Sequence, residues 1–560
     1  MEILENSLPT INSASQKYLD QAFVKEFDLP GIILMEQAAA AVTELIIRLE
    51  KTGNKVLFLA GAGNNGGDAW ASARQLAAYG FEVSVLDLFP DKSLPADAAQ
   101  NKTAYLKSLD YVNGQVFHFD PDSFQEHVIS FDYIVDGIMG TGFNLRRPLS
   151  RDILDLLKIV NSCKSTCRIA IDIPTGIDSV TGACDQEVFL ADYTVTFSAL
   201  KTGMAAEPGC VYCGEIFVAP LSMQKSWLES KLSEFIKESD SGFSLPRVLT
   251  LDTISSFETE RSKLSHKGKH GKTLLIGGSE GMSGAMILAL QAAHATGIGY
   301  AYVRTPQTVV ADLLKVSPES LIAEIPGISP TNNADTMNNV NPSDNSRPAD
   351  NTDPILKWKN LIAEVDSVGL GPGAGKAEWL TDYFIDICST AKKLIIDADG
   401  LNYLAKIEDW EQLCRDRLDG GMQPAILTPH PGEFKRLAPD LTDLLNQDRQ
   451  VAAVELAKRS STFVVLKGHA TVLALPSGEV YINSSGNQSL AKAGSGDVLT
   501  GLLSGFTAQM PNQTDAVALA VFFHGMLADL AVADLGVRGV LPGKLADYAP
   551  AAYRKLGWNN

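Results

Sequence analysis

The feature that most constrains this chain is an alternation repeated along almost its whole length. Short apolar runs ending in glycine or aspartate are followed, again and again, by segments of helical periodicity. Apolar positions at Phe23, Phe27, Leu34, Ala38, Val42, Leu45 and Ile46 predict helix over residues 15–50. The runs KVLFLAGAGNNGGD, EVSVLDLF, YIVDGIMGTG, RIAIDIPTG and YTVTFSAL then read as strands. Strands of this kind, separated by helices, form a parallel sheet covered on both faces. A charged helical stretch, LSMQKSWLESKLSEFIKE, closes this series. From Gly271 a second begins: KTLLIGGS, YAYVRT, SVGLGPG, KLIIDADG, AILTPHPGE, TFVVLKG and TVLALP. With 560 residues, the chain is predicted to form two α/β/α domains, residues 1–235 and 236–560. Residues 327–354, nearly all Asn, Asp, Pro, Ser and Thr, cannot bury enough apolar area to order themselves and read as a polar insertion in the second.

The formal charge is −19. So acidic a chain repels polyanions, which argues against nucleic acid and anionic membranes as partners. Seven cysteines with a lone C-x-x-C, Cys210 and Cys213, make neither a disulfide framework nor a zinc module. The uncharged stretch Gly284 to Val303 is long enough to cross a bilayer, but its Ala, Gly, Gln291 and His294 fit a buried helix better. The first residues, MEILENSLPT, lack the basic and apolar blocks of a signal peptide, so the expected compartment is the cytoplasm. The apolar helix Ile32 to Ile47 suits a homo-oligomer interface and a core helix equally.

The strongest local signal is Gly61-Ala62-Gly63-Asn64-Asn65-Gly66-Gly67-Asp68, between a strand and a helix. Its glycines let backbone approach a ligand, and the free N–H groups at a helix start favour an anion. The spacing is not that of the dinucleotide fingerprint. Asp136, before Gly137-Ile138-Met139-Gly140, and Asp172 and Thr175, in Ile171-Asp172-Ile173-Pro174-Thr175, close two further strands. Ligands of open parallel sheets bind at these carboxyl ends. Asn65, Asp136 and Thr175 together offer hard oxygen ligands for a monovalent cation.

These residues carry a resemblance. GAGNNGGDAWASARQL, VDGIMGTGF, IDIPTGID and LKTGMAAEPGCVYCGEI, over about residues 15–230, are similar to the NAD(P)H-hydrate epimerase domain, a Rossmann-like fold. The resemblance implies epimerisation at C6 of hydrated NADH and NADPH. It implies substrate contacts from Asn64, Asn65, Gly66, Gly67 and Asp68, and from Gly140, Thr141, Gly142, Phe143, Asn144, Leu145 and Arg146. It places Asp172 nearest the reacting ring and makes Asn65, Asp136 and Thr175 potassium ligands. The chain departs from the family at Met35-Glu36-Gln37-Ala38-Ala39, where M-E-N-A-G is common, and at Thr175, where Ser is usual. Inverting a carbinolamine-like carbon calls for a carboxylate that shuttles a proton, and Asp172 is the candidate.

In the second half, Ala493-Gly494-Ser495-Gly496-Asp497 opens a helix. N–H groups there form an anion hole for a transferring phosphoryl group, and an Asp set in it can accept the attacking hydroxyl's proton. Lys467, at the end of a strand, suits a nucleotide phosphate, and His430 is held stiffly between two prolines. With GLGPG, DADGLN, LTPHPGEFKRL, LKGHATV and AKAGSGDVLTG, residues 245–555 resemble the ribokinase-like superfamily and, within it, the ADP- or ATP-dependent NAD(P)H-hydrate dehydratases. The resemblance implies nucleotide contacts from Lys467, Gly468, His469, Ala470, Thr471 and Gly496. It implies hydrated-nicotinamide contacts from Ala285, Gly371, His430 and Asp497, with Asp497 as catalytic base, magnesium on the phosphates, and ADP as the donor that the two-domain fusion favours. Here Asn487-Gln488-Ser489-Leu490-Ala491 replaces the family's N-P-G-M-A, and Ala493 replaces a Gly. The alternative is a ribokinase-like kinase of another small hydroxylated substrate with a non-catalytic N-terminal binding domain. The TPHPGE and NNGGD stretches argue against it.

Overall fold

The computed structural model describes residues 2–3, 9–49, 53–118, 128, 130–238, 244–258, 261–323, 354–376 and 378–558. Residues 327–353 of the polar insertion lie outside the described residues. The chain divides into two compact units, Met1–Val248 and Leu249–Asn560. The division falls beyond position 235 because the charged helix Lys225–Glu238 belongs to the first unit, where its Leu228 and Leu232 enter the core.

The first unit is an eight-stranded sheet: β1 (Glu2–Ile3), β2 (Lys55–Ala60), β3 (Glu82–Asp87), β4 (Gly114–His118), β5 (Tyr133–Gly137), β6 (Cys167–Ile171), β7 (Tyr193–Phe197) and β8 (Glu215–Ala219). Their order is β1-β8-β7-β6-β5-β2-β3-β4, and only the edge pair β1–β8 is antiparallel. Side chains alternate across each strand. Val56, Phe58 and Ala60 of β2 therefore enter one core with α1 (Ser13–Phe27), α2 (Gly31–Arg48) and α3 (Asn64–Ala78). Leu57 and Leu59 enter another with α4 (Arg151–Ser162). Both faces being buried explains why the strands read as unbroken apolar runs. The chain runs outward from β2 through β3 to β4, then returns to the other side of β2 with β5. That reversal makes a switch point, with a crevice outside the carboxyl ends of β2 and β5.

The second unit repeats the plan with β9 (Arg247–Leu249), where the units join, β10 (Lys272–Ile276), β11 (Tyr300–Arg304), β12 (Leu321–Ile322), β13 (Ser367–Leu370), β14 (Leu394–Ile396), β15 (Ile426–Leu427), β16 (Phe463–Leu466), β17 (Val472–Ala474) and β18 (Val480–Asn483). The order is β12-β11-β10-β13-β14-β15-β16-β17-β18-β9, parallel from β12 to β16, with β16, β17 and β18 antiparallel. Its switch point lies between β10 and β13. The uncharged stretch from Gly284 is a helix, α5 (Ser283–Ala295), followed by a turn into β11. The helix Gln513–Gly539 is long and apolar enough to cross a membrane, and 72% of its apolar window is buried inside this protein.

Candidate functional sites

In the first unit, the turn after β2 and the turn after β5 frame a cavity of about 880 Å³. Gly61 brings them together: a Cβ there would lie 1.8 Å from the Ile138 carbonyl oxygen. Gly66 lets the start of α3 fold back on that turn, since its Cβ would meet the Gly61 oxygen at 1.9 Å. Asn64, Asn65, Asp68, Gly140, Thr141, Gly142, Phe143 and Asp172 line the cavity. Gly66 and Gly67 sit buried behind it, while Leu145 and Arg146 are exposed outside the lining.

Beside the cavity is a cluster of oxygens. Asp136, fully buried, accepts N–H bonds from Ile138 at 3.1 Å and Thr175 at 2.8 Å, and the Thr175 hydroxyl donates to it at 2.8 Å. Burial pushes its pKa up to about 6 against the pull of those three bonds. Asn65 is 8% exposed, and neither polar atom of its amide has a hydrogen-bond partner among the described residues. A buried amide with nothing to bind costs about 1–3 kcal/mol, and both polar atoms of this one are open to a ligand. The donor set, an amide oxygen, a carboxylate and a hydroxyl, fits a hard cation.

Asp172 follows β6 with φ at 68°, a left-handed backbone unusual for a side-chain-bearing residue. Its Oδ1 lies 2.7 Å from Nζ of Lys201, a lysine with no exposed surface. The same ammonium donates to the carbonyls of Phe197 at 2.8 Å and Ala199 at 3.4 Å. Two more carboxyls face this space. Asp20 of α1 accepts a bond from Gln16 at 2.7 Å, and burial, with a contribution from Asp172, raises its pKa to about 6. Asp68 is held well above the ordinary carboxylate range by burial and by the charges of Asp172 and Asp20. Lys201 and Asp20 had no role from the sequence. LKTG marks a loop, and only the third dimension shows its lysine turned inward.

In the second unit, the carboxyl ends of β14, β15 and β16 converge on α6 (Ser495–Gln509). Asp397 is the hub: its Oδ1 accepts from Lys467 Nζ and from the Thr428 hydroxyl, both at 2.7 Å, and its Oδ2 from the Thr500 hydroxyl at 2.7 Å. Lys467 also lies 3.6 Å from Glu433. Burial opposes its charge, yet Asp397, Glu433 and Asp497 hold its pKa above the usual value. For Asp397, burial likewise works against the charge, and Lys467 with the two hydroxyls overrides it downward. A Cβ on Gly496 would sit 3.5 Å from Lys467 Nζ, an ordinary contact, so the ammonium lies beside the helix start. Asp497 is pushed up to about 6, first by burial and then by Asp397 and Asp399, with Lys467 opposing.

The other candidates surround this hub. Gly371, at φ 123°, packs on the Asp397 carbonyl, where a Cβ would come within 1.9 Å. Ala285 touches the same loop near Gly373. His430 caps the helix Pro431–Leu437: its Nδ1 accepts N–H bonds from Gly432 at 3.0 Å and Glu433 at 3.4 Å, which leaves its ring exposed toward solvent. Residues 467–471 form the turn between β16 and β17, with Ala470 buried and the Thr471 hydroxyl donating to the Gly468 carbonyl.

Known proteins agree with this two-part layout. Residues 273–551 match the family model described as NAD(P)H-hydrate dehydratase, and residues 31–203 match the YjeF-related protein N-terminus. The chain is 31% identical to a bifunctional NAD(P)H-hydrate repair enzyme of Moorella thermoacetica, over 98% of this chain and 97% of the relative. It is 32% identical to the enzyme of that name from Escherichia coli, over 87% and 82%. Among solved structures, an ADP/ATP-dependent NAD(P)H-hydrate dehydratase from Bacillus subtilis, co-crystallized with ATP/Mg2+, is 30% identical and covers 56% of this chain and 98% of its own, with a TM-score of 0.44.

Proposed function

Because the chain belongs to the bifunctional NAD(P)H-hydrate repair enzymes, we propose that its first unit epimerises hydrated NADH and NADPH at C6 and its second dehydrates the S form at the expense of ADP. The observation that carries this reading is the pairing, on one chain, of the Asp172-lined cavity with the Gly494–Asp497 helix start beside Lys467. The kinase-like unit accepts one epimer, and the first unit supplies it from the other.

Asn65, Asp136 and Thr175 hold potassium in this reading; the unpartnered Asn65 amide is the support. The cation supplies fixed positive charge beside the cavity. In the second unit, Asp497 accepts the proton of the C6 hydroxyl as that oxygen attacks the terminal phosphorus of the nucleotide. The N–H group of Gly496, at the helix start, faces the moving phosphoryl group, and Lys467 balances its charge. The ring nitrogen then expels phosphate, C5 loses a proton, and the dihydronicotinamide returns. Magnesium neutralises phosphate charge and needs few protein carboxylates; Asp399, close enough to raise the pKa of Asp497, is on hand.

The test mixes the protein with both epimers of hydrated NADH, magnesium, potassium and either ADP or ATP, and follows the near-ultraviolet absorbance of NADH. Full recovery with ADP establishes both activities and the donor. Recovery that stalls when one epimer is spent removes the epimerase assignment, and no recovery with either nucleotide removes the whole reading.

A further inference from the structure

Epimerisation needs a group to protonate what leaves C6 and a group to deprotonate what arrives. Both Asp68 and Asp172 line the cavity, and the structure makes them chemically unlike. Asp172 is tied at 2.7 Å to an ammonium with no exposed surface. Asp68, in the second turn of α3, has no ion-pair partner among the described residues and is crowded by the charges of Asp172 and Asp20, with Lys201 opposing. Asp20, the third carboxyl, is engaged by Gln16. Two cavity carboxyls in such different settings, one ion-paired to a buried ammonium and one not, are placed to divide acid and base roles between them.

We infer that Asp68 is a second catalytic residue of the first unit, working as proton donor opposite the Asp172 carboxylate, with Lys201 the residue that positions Asp172. The inference rests on the epimerase reading and goes beyond substrate contact by Asp68. In the forward step, a proton moves from Asp68 to the C6 hydroxyl. The C6–O bond breaks, its electron pair leaves with water, and the ring-nitrogen lone pair forms a C=N bond to C6. A second water adds to the other face, making the new C6–O bond, returning the pair to nitrogen and giving its proton to Asp172. One water leaves, one enters, and one proton passes from Asp68 to Asp172. Inversion in the opposite sense returns it. The high pKa of Asp68 is what keeps a proton there for the first step.

The test uses the full chain, with dehydration of the S epimer as the control for folding. Asp68→Asn retains shape and hydrogen bonding but has no proton to give. It should lower kcat for epimerisation by at least ~100-fold, with KM within about threefold of wild type. Asp68→Glu, which keeps the acid, should recover part of that loss. In oxygen-18 water, wild type should place one solvent oxygen at C6 per inversion. Three results overturn the assignment: Asp68→Asn epimerising within about threefold of wild type, a loss confined to KM, or inversion with the original oxygen retained. A wild-type chain that dehydrates one epimer and inverts neither overturns the epimerase reading itself, and this assignment with it.

Discussion

Lys201 and Asp172 form an ion pair, 2.7 Å from Nζ to Oδ1, in which the lysine side chain has no exposed surface. The two residues come from the ends of adjacent strands, β7 and β6, and both approaches are bent. Asp172 has φ at 68° and Ser198, three residues before the lysine, has φ at 65°. A buried ammonium is tolerated only with its bonds filled. Here the carbonyls of Phe197 and Ala199 complete the set. The pair therefore fixes the Asp172 carboxyl at the cavity wall beside a buried ammonium.

Lys201→Met should accordingly cost the first unit ~3–5 kcal/mol, because it strands the Asp172 carboxylate. Adding Asp172→Asn should return much of that stability while epimerisation stays lost. Denaturant unfolding of the wild type, Lys201→Met and the double variant, with dehydratase activity reporting on the second unit, measures this. A double variant no more stable than Lys201→Met would show that the lysine supports packing rather than charge.

Potassium should stabilise the first unit. With free cation at about 100 times its Kd, the gain is ~2.7 kcal/mol. Asn65→Ala should abolish the gain, yet cost little in potassium-free buffer, since the amide it removes has no partner to lose. Thermal unfolding with and without potassium, in both proteins, separates these outcomes. An equal potassium response in Asn65→Ala would move the cation elsewhere.

Much of this was legible in the sequence for a definite reason. Asp136 stands at the end of β5, and Asn65 and Thr175 follow β2 and β6 within a short turn, so the alternation of strand and helix places them at one edge before any contact is known. Glycine at positions 61 and 66 reads as room for a ligand, but the structure uses both for backbone against backbone, Gly61 on Ile138 and Gly66 on Gly61. Lys201 was not legible, since nothing local distinguishes an inward lysine from an exposed one. Asp397 appears in the sequence only within DADGLN, and its three partners are 31, 70 and 103 residues away. Arg146 belongs to a substrate-contacting stretch by resemblance, but here it is exposed outside the cavity lining.

Asp497 should set the acid limb of dehydration. Its pKa is raised to about 6, so it begins to take up protons at a pH where an ordinary aspartate stays charged. A protonated Asp497 cannot accept the hydroxyl proton. Hence kcat/KM for dehydration should fall about tenfold per pH unit below that value. Asp497→Asn should lower dehydration by ~100-fold or more and leave epimerisation unchanged. A flat profile from pH 8 to pH 5 would remove Asp497 as the base.

Asp397 titrates in the other sense. Lys467 and the hydroxyls of Thr428 and Thr500 hold its pKa below the usual value despite burial. A depressed folded pKa means that the carboxylate contributes stability above the unfolded value, near 4, and that this contribution disappears as pH falls through the lower, folded value. The second unit should therefore lose stability between pH 4 and its acid transition, and Asp397→Asn should flatten that dependence. Asp397→Ala should be the more damaging at neutral pH, by ~3–5 kcal/mol, because Lys467 loses its 2.7 Å partner and keeps Glu433 at 3.6 Å and the more distant Asp497. Adding Lys467→Met to Asp397→Ala should restore most of the loss, while dehydration remains abolished. Denaturant unfolding at several pH values, with epimerisation as the control for the first unit, tests each step. An Asp397→Asn protein with the acid sensitivity of wild type would show that another carboxylate governs it.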